Sequence, residues 1–371
     1  MAGFDLVAIV GTGLIGGSLG LAIKEQTNPP TIVGYNRRLR TSMTALEAGA
    51  IDEIADSAAD AAREADLIFV CTPVGSIVDT LRTIAGDVKK GAVVTDVGST
   101  KADIVATAER LLSADVNFIG GHPMAGSERE GIDNAAAHLF VNAYYLLTPT
   151  HRTDMTAFGR LHSFLTALGP TVLAMQPEAH DKAVATISHV PHLLSAALVN
   201  LAGRQAKDDE TLLRIAAGGF KDMTRIAAGN SEMWADICMT NSAAILELLD
   251  RFTAEIARLS EALRDSDRQR LVGVLEEAKG LRTGLPALWQ KEAVPLAQLE
   301  VPVLDRPGVI SEITLTIGQL GVNIEDIELA HASEAAATLR LVVEMGPNLD
   351  EAVASLKAKG YDAQLTGIEE G

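Results

Sequence analysis

Apolar and polar positions divide the chain into three stretches with different rhythms. From residue 1 to 176, short strand-like runs recur: Leu6–Val10, Ile32–Tyr35, Leu67–Cys71, Val93–Val97, Tyr144–Leu147 and Thr171–Ala174. Ala- and charge-rich segments separate them. Runs of this length are strands buried on both faces, and their alternation with helical segments predicts a doubly wound α/β domain around a parallel sheet. From 177 to 284 the spacing turns helical, as in Thr240–Ala257 and Arg268–Lys279. This stretch predicts an all-helical domain. Its amphipathic segments have too little other chain to cover them, so a homodimer is expected. A linker over 283–296 carries Gly284, Pro286 and Pro295. The tail, 297–371, reads as strand Ala297–Val303, helix Val309–Leu320, strands Val322–Ala330 and Ala337–Glu344, helix Leu349–Lys359 and strand Asp362–Thr366. That βαββαβ order predicts a ferredoxin-like module.

The sharpest local signal is LVAIVGTGLIGGSLG, Leu6–Gly20. Gly11, Gly13 and Gly16 follow the first strand in G-x-G-x-x-G spacing, Leu14 and Ile15 open the next segment, and Ser18–Ile23 reads as helix. Gly11 permits the tight turn, Gly13 lets backbone approach a pyrophosphate, and Gly16 lets helix and strand pack closely. The helix start offers free N–H groups to the phosphates. The domain is therefore expected to be Rossmann-type and to bind a dinucleotide. The second strand ends Asn36-Arg37-Arg38, with no carboxylate for a ribose 2′-hydroxyl. Asn36 can bond ribose and the two guanidinium groups can grip a 2′-phosphate, which favours NADP over NAD. Thr72 and Pro73 end the strand along which a cofactor ribose would pass.

The composition narrows the partners. The 371 residues are 47% hydrophobic and 22% charged, with a net charge of −18. Nucleic acid and anionic membranes are poor partners for such a surface, and an anionic substrate needs a local cation. Two cysteines, Cys71 and Cys238, give no disulfide framework. The N-terminal apolar run has no basic leader and is broken by glycines, so a cytoplasmic protein is expected.

Three polar clusters carry candidate chemistry. Asp96-Val97-Gly98-Ser99-Thr100-Lys101 ends a strand at the carboxyl edge of the sheet, where open α/β proteins bind ligands. His122, in Gly120–Glu128, is expected in a loop after a strand at Val116–Ile119, well placed for proton transfer. His180-Asp181 precedes Ser188-His189-Val190-Pro191-His192, where Pro191 should kink or start a helix. His189 and His192 share a helix face, but no metal motif accompanies them, so no metal is expected. Lys221–Arg225 offers a cation, and Trp234 an aromatic wall.

Together these segments resemble the prephenate dehydrogenases. The resemblance rests on GTGLIGGSLG, DVGSTK, GGHPMAGSE, HD followed by SHVPH, and FKDMTR with Trp234 downstream. It implies oxidative decarboxylation of prephenate to 4-hydroxyphenylpyruvate, with hydride passing to NAD or NADP. His122 would be the catalytic base, Asp181 would orient it, and Ser99 would lie by the substrate hydroxyl. Arg225 would clamp a substrate carboxylate, with His192, Ser188 and Trp234 lining the pocket. VLDRPGVISEI and GVNIEDIEL in the tail resemble an ACT domain, which implies an amino-acid effector, tyrosine, held by Asp305, Pro307, Gly308 and Asn323. Alternatives are an arogenate or broad cyclohexadienyl dehydrogenase, a β-hydroxyacid dehydrogenase with a catalytic lysine, and a non-catalytic amino-acid sensor.

Overall fold

The computed structural model describes residues 3–126, 131–207, 211–289, 296–304, 309–322, 324–331 and 336–367. The chain forms two compact units, Met1–Arg258 and Leu259–Gly371.

The first unit is built on an eight-stranded sheet. Its strands are β1 (Leu6–Val10), β2 (Thr31–Tyr35), β3 (Glu53–Ile54), β4 (Leu67–Val70), β5 (Val93–Asp96), β6 (Asn117–Pro123), β7 (Tyr144–Thr148) and β8 (Thr171–Ala174). They lie in the order β3-β2-β1-β4-β5-β6-β7-β8. All neighbours are parallel except β6 and β7. β1 and β4 read as continuous apolar runs because helices cover both faces. One core face packs Leu19 and Ile23 of helix Leu14–Lys24 and Leu161 and Leu165 of helix Met155–Thr166. The other packs Ile77, Leu81, Ile104 and Ala108 from helices Ile77–Ile84 and Ala102–Leu111.

β6 is longer than the apolar run Val116–Ile119 suggests. Its first half pairs parallel with β5, and Gly120–Pro123 then pair antiparallel with β7. His122 therefore stands on a strand, opposite Leu146, and not in the expected loop. The glycines that resemble loop punctuation are where the strand changes partners.

Past Glu178 this unit is helical. Pro177–Val184, a single π-helical turn Ala185–His189, and Val190–Gln205 run on as one helix. Pro191 has no N–H and its ring crowds the carbonyl four residues back, so the wider π turn before it lets the helix continue. Helix Ser231–Thr240 docks on the α/β domain through buried Ile237 and a hydrogen bond between the Thr100 and Thr240 hydroxyls of 3.1 Å.

In the second unit, helix Arg268–Trp289 runs through Gly284 and Pro286, so the expected linker does not begin at residue 283. Its strands are β9 (Leu296–Leu304), β10 (Ile324–His331), β11 (Ala336–Glu344) and β12 (Gln364–Gly367). They form an antiparallel sheet in the order β10-β11-β9-β12. Alternate residues Leu299, Val301, Leu339 and Leu341 pack with Ile313, Ile317, Ala352 and Leu356 of helices Val309–Gly318 and Leu349–Ala358. Asp305, Pro307, Gly308 and Asn323 lie outside the described residues.

Candidate active site

The glycine turn after β1 has the shape its spacing predicts. Gly11 adopts φ +108° and its N–H donates to the Tyr35 carbonyl at 2.8 Å. A Cβ there would collide with the Cys71 carbonyl at the end of β4, and one on Gly16 would strike the Gly11 carbonyl. Nothing described lies within 4 Å of where a Gly13 Cβ would stand. Helix Leu14–Lys24 starts with no side-chain cap and no acid in its first turn, so the N–H groups at Leu14 and Ile15 face an open, electropositive edge. That cradle fits a dinucleotide pyrophosphate. Arg37 and Arg38 are exposed beyond β2, and the Asn36 carboxamide oxygen accepts the Arg38 N–H at 3.0 Å. Thr72, half-buried beside Gly11, shares a 3.3 Å hydroxyl contact with Thr80, and Pro73 is exposed.

Three strand ends along the same edge lead to the histidines. The Val97 N–H bonds the Val70 carbonyl at 3.3 Å, and the Asp96 carboxylate accepts the Gly121 N–H at 3.2 Å. His122 follows. Its Nδ1 lies 2.8 Å from Nε2 of His180, whose Nδ1 lies 2.8 Å from the Asp181 carboxylate. Asp181 is therefore one histidine removed from His122, not in contact with it. Its oxygens instead accept the N–H groups of Lys101 and Ala102, at 2.7 and 2.9 Å, at the start of helix Ala102–Leu111. The His180 ring fills the gap.

This chain of bonds fixes protons. A carboxylate only accepts, so His180 Nδ1 carries hydrogen and its Nε2 is the acceptor. His122 Nδ1 must then donate, which leaves the His122 Nε2 lone pair available. Burial first, and then electrostatic coupling to His180, Lys101 and His189, holds the His122 pKa well below 6.5. The ring is therefore neutral at neutral pH, the form that accepts a proton.

The remaining expected residues fall in two groups. Ser99 is half-buried in the loop between Asp96 and Lys101. Ser188 and His189 ride on the π turn, and His192 lies one turn on. The His189 ring meets the Asn241 carboxamide at 3.1 Å, and burial depresses its pKa to about 4. His192 stacks on Trp234, with ring centroids 3.6 Å apart and planes 16° from parallel. Gly229 lies against both rings. It follows the short turn Arg225–Ala228, which packs on helix Val190–Gln205 and presents an exposed Arg225. His180, Asn241 and the buried Asp96–Lys101 pair have no assigned role in the sequence reading. A His next to an Asp was a visible signal for His180; nothing in the sequence marks Asn241.

Comparison with known proteins decides the family. A family model described as "Prephenate dehydrogenase, nucleotide-binding domain" matches residues 19–174, and one described as "Prephenate dehydrogenase, dimerization domain" matches 176–277. The chain belongs to the prephenate dehydrogenase family. A prephenate dehydrogenase of Bacillus subtilis is 38% identical over 332 residues, which is 89% of each chain. A solved Aquifex aeolicus prephenate dehydrogenase, in complex with hydroxyphenyl propionate and NAD+, matches with a TM-score of 0.72 and 30% identity, over 76% of this chain and 98% of that one. A Synechocystis arogenate dehydrogenase matches with a TM-score of 0.68 and 35% identity, over 76% of this chain and 99% of that one. As a member of this dehydrogenase family the chain is an oxidoreductase, with its nucleotide-binding domain ahead of the helical one.

Proposed function

We propose that this enzyme oxidises and decarboxylates prephenate to 4-hydroxyphenylpyruvate, using NADP in preference to NAD. The observation that carries the reading is the His122–His180–Asp181 chain, which leaves His122 neutral with Nε2 free at the carboxyl edge of a dinucleotide-binding sheet. A bound nicotinamide would supply the hydride acceptor. His122 Nε2 takes the ring hydroxyl proton as the C4–H bond breaks with its electron pair. The carboxylate leaves as CO₂, its electron pair enters the ring, and the ring becomes aromatic. The former hydroxyl oxygen is then a phenolate, and His122 returns the proton to it. Ser99 bonds the reacting oxygen. Arg225 pairs with a substrate carboxylate, which the net charge of −18 makes necessary. Ser188, His192 and Trp234 form the wall behind the ring.

Gly11, Gly13, Leu14, Ile15 and Gly16 hold the pyrophosphate in this reading, with Thr72 and Pro73 beside the ribose. Asn36 bonds the ribose, and Arg37 and Arg38 take the 2′-phosphate. The helical stretch pairs two copies. Ile187, Ile215 and Met239 of that stretch are 62%, 71% and 76% exposed in one chain, which supports a covering partner. Helix Pro177–Gln205 is long and apolar enough to cross a bilayer by length and composition alone. We assign its free flank to the second copy, since buried His180, Asp181, His189 and His192 line its other side. We read the tail as an ACT-type module that binds tyrosine, supported by its antiparallel sheet and paired helices. Free Cys71 and Cys238 support a reducing cytoplasm.

Reduced cofactor should accumulate with prephenate, at a higher kcat/KM than with arogenate. Faster turnover of arogenate would reassign the substrate, an alternative that the Synechocystis match favours. Turnover of neither would leave an amino-acid sensor.

A further inference from the structure

Asp96 and Lys101 flank the loop after β5, and both close on Gly121, the residue before His122. Both side chains are completely buried and form an ion pair. Asp96 accepts the Gly121 N–H at 3.2 Å, and Lys101 Nζ donates to the Gly121 carbonyl at 2.8 Å. The second Asp96 oxygen accepts the Gly98 N–H at 2.9 Å. Gly121 lies where β6 has left β5 for β7. Its peptide groups turn toward the end of β5, and side chains take the place of the missing strand backbone. The same Lys101 donates its main-chain N–H to Asp181 at 2.7 Å. One residue thus holds both ends of the His122–His180–Asp181 chain, through its side chain at one end and its backbone at the other.

We propose that Lys101, paired with Asp96, is a positioning residue that locks the Gly121–His122 backbone against Asp181 and keeps His122 Nε2 aimed at the substrate hydroxyl. This rests on the reading of His122 as the base. Stability alone is a weak reason for a buried ion pair, since an apolar pair of similar volume often fills such a space at equal or lower free energy. Reactive geometry does need it, because a displacement of about 1 Å costs roughly 10²-fold in rate.

The test compares Lys101→Met, the double variant Asp96→Asn with Lys101→Met, His122→Asn, and Lys101→Met combined with His122→Asn. The double variant removes both charges, so that no buried carboxylate is left unpaired. Each is assayed for kcat and KM with prephenate, for cofactor Kd by fluorescence, and for thermal unfolding. The expected result is a kcat lower by about 10²-fold in the folded Lys101 variants, with KM and cofactor Kd within about threefold. Lys101→Met should then subtract little further from His122→Asn, because the two act as a unit. A folded Lys101 variant with kcat within about threefold of the parent, or losses that multiply fully with His122→Asn, would overturn the proposal. So would failure of both Lys101 variants to fold, which would make the pair a folding element. An unchanged kcat in His122→Asn would instead remove the base assignment beneath it.

Discussion

At the scale of single residues, the chemistry is set by which proton each histidine carries. Asp181 has both oxygens committed to N–H groups, so it anchors His180, and His180 fixes the tautomer of His122. A base must be neutral to act, and His122, the base in the proposed reading, is kept so first by burial and then by its electrostatic coupling to His180, Lys101 and His189. The sign follows: acid silences the base only when pH falls through its depressed pKa. The acid limb of the kcat/KM profile with prephenate should therefore lie well below 6.5, with activity level from neutrality through that point. An acid limb at or above pH 6.5 would show that His122 is not held neutral, or is not the group observed. Single residues were only partly legible in the sequence. Motif and chemistry pointed to His122 and Asp181, but the intervening His180 depends on where a helix delivers its side chain relative to a strand fifty-eight residues earlier.

At the scale of elements, the glycine turn was readable because its constraints are local. Gly11 needs a positive φ, and Gly16 needs an absent Cβ, and both follow from a spacing of a few residues. The strands β1, β2, β4, β5, β7 and β8 were equally legible as short strand-like runs. β6 was not, because Gly120 and Gly121 carry no hydropathy signal while their pairing changes from β5 to β7. The π turn before Pro191 was hidden for a related reason. A proline signals a break, and whether the chain breaks or widens depends on the packing around it. Gly284 and Pro286 misled in the same way, since helix Arg268–Trp289 continues through both.

At the scale of the whole molecule, charge frames the problem of binding anions. The net charge of −18 repels both substrate and cofactor, so each needs cations of its own. Arg37 and Arg38 are exposed past β2, and in the proposed reading they meet a ribose 2′-phosphate where a carboxylate would select against it. Replacing both with Ala should weaken NADP more than NAD, as read by cofactor titration. Tighter binding of NAD than NADP to the unaltered enzyme would contradict the preference. The uncovered helical stretch was legible in the sequence, and apolar side chains such as Ile215 and Met239 are exposed on it in one chain.

The measurement closest to the centre is the turnover of prephenate by His122→Asn under saturating substrate and cofactor. Asn keeps polar volume at the end of β6 but has no basic nitrogen, so cofactor binding should survive while kcat falls by about 10²–10⁴-fold. A kcat equal to that of the unaltered enzyme would mean that the proton leaves by another route, and that the His122–His180–Asp181 chain does not serve the reaction.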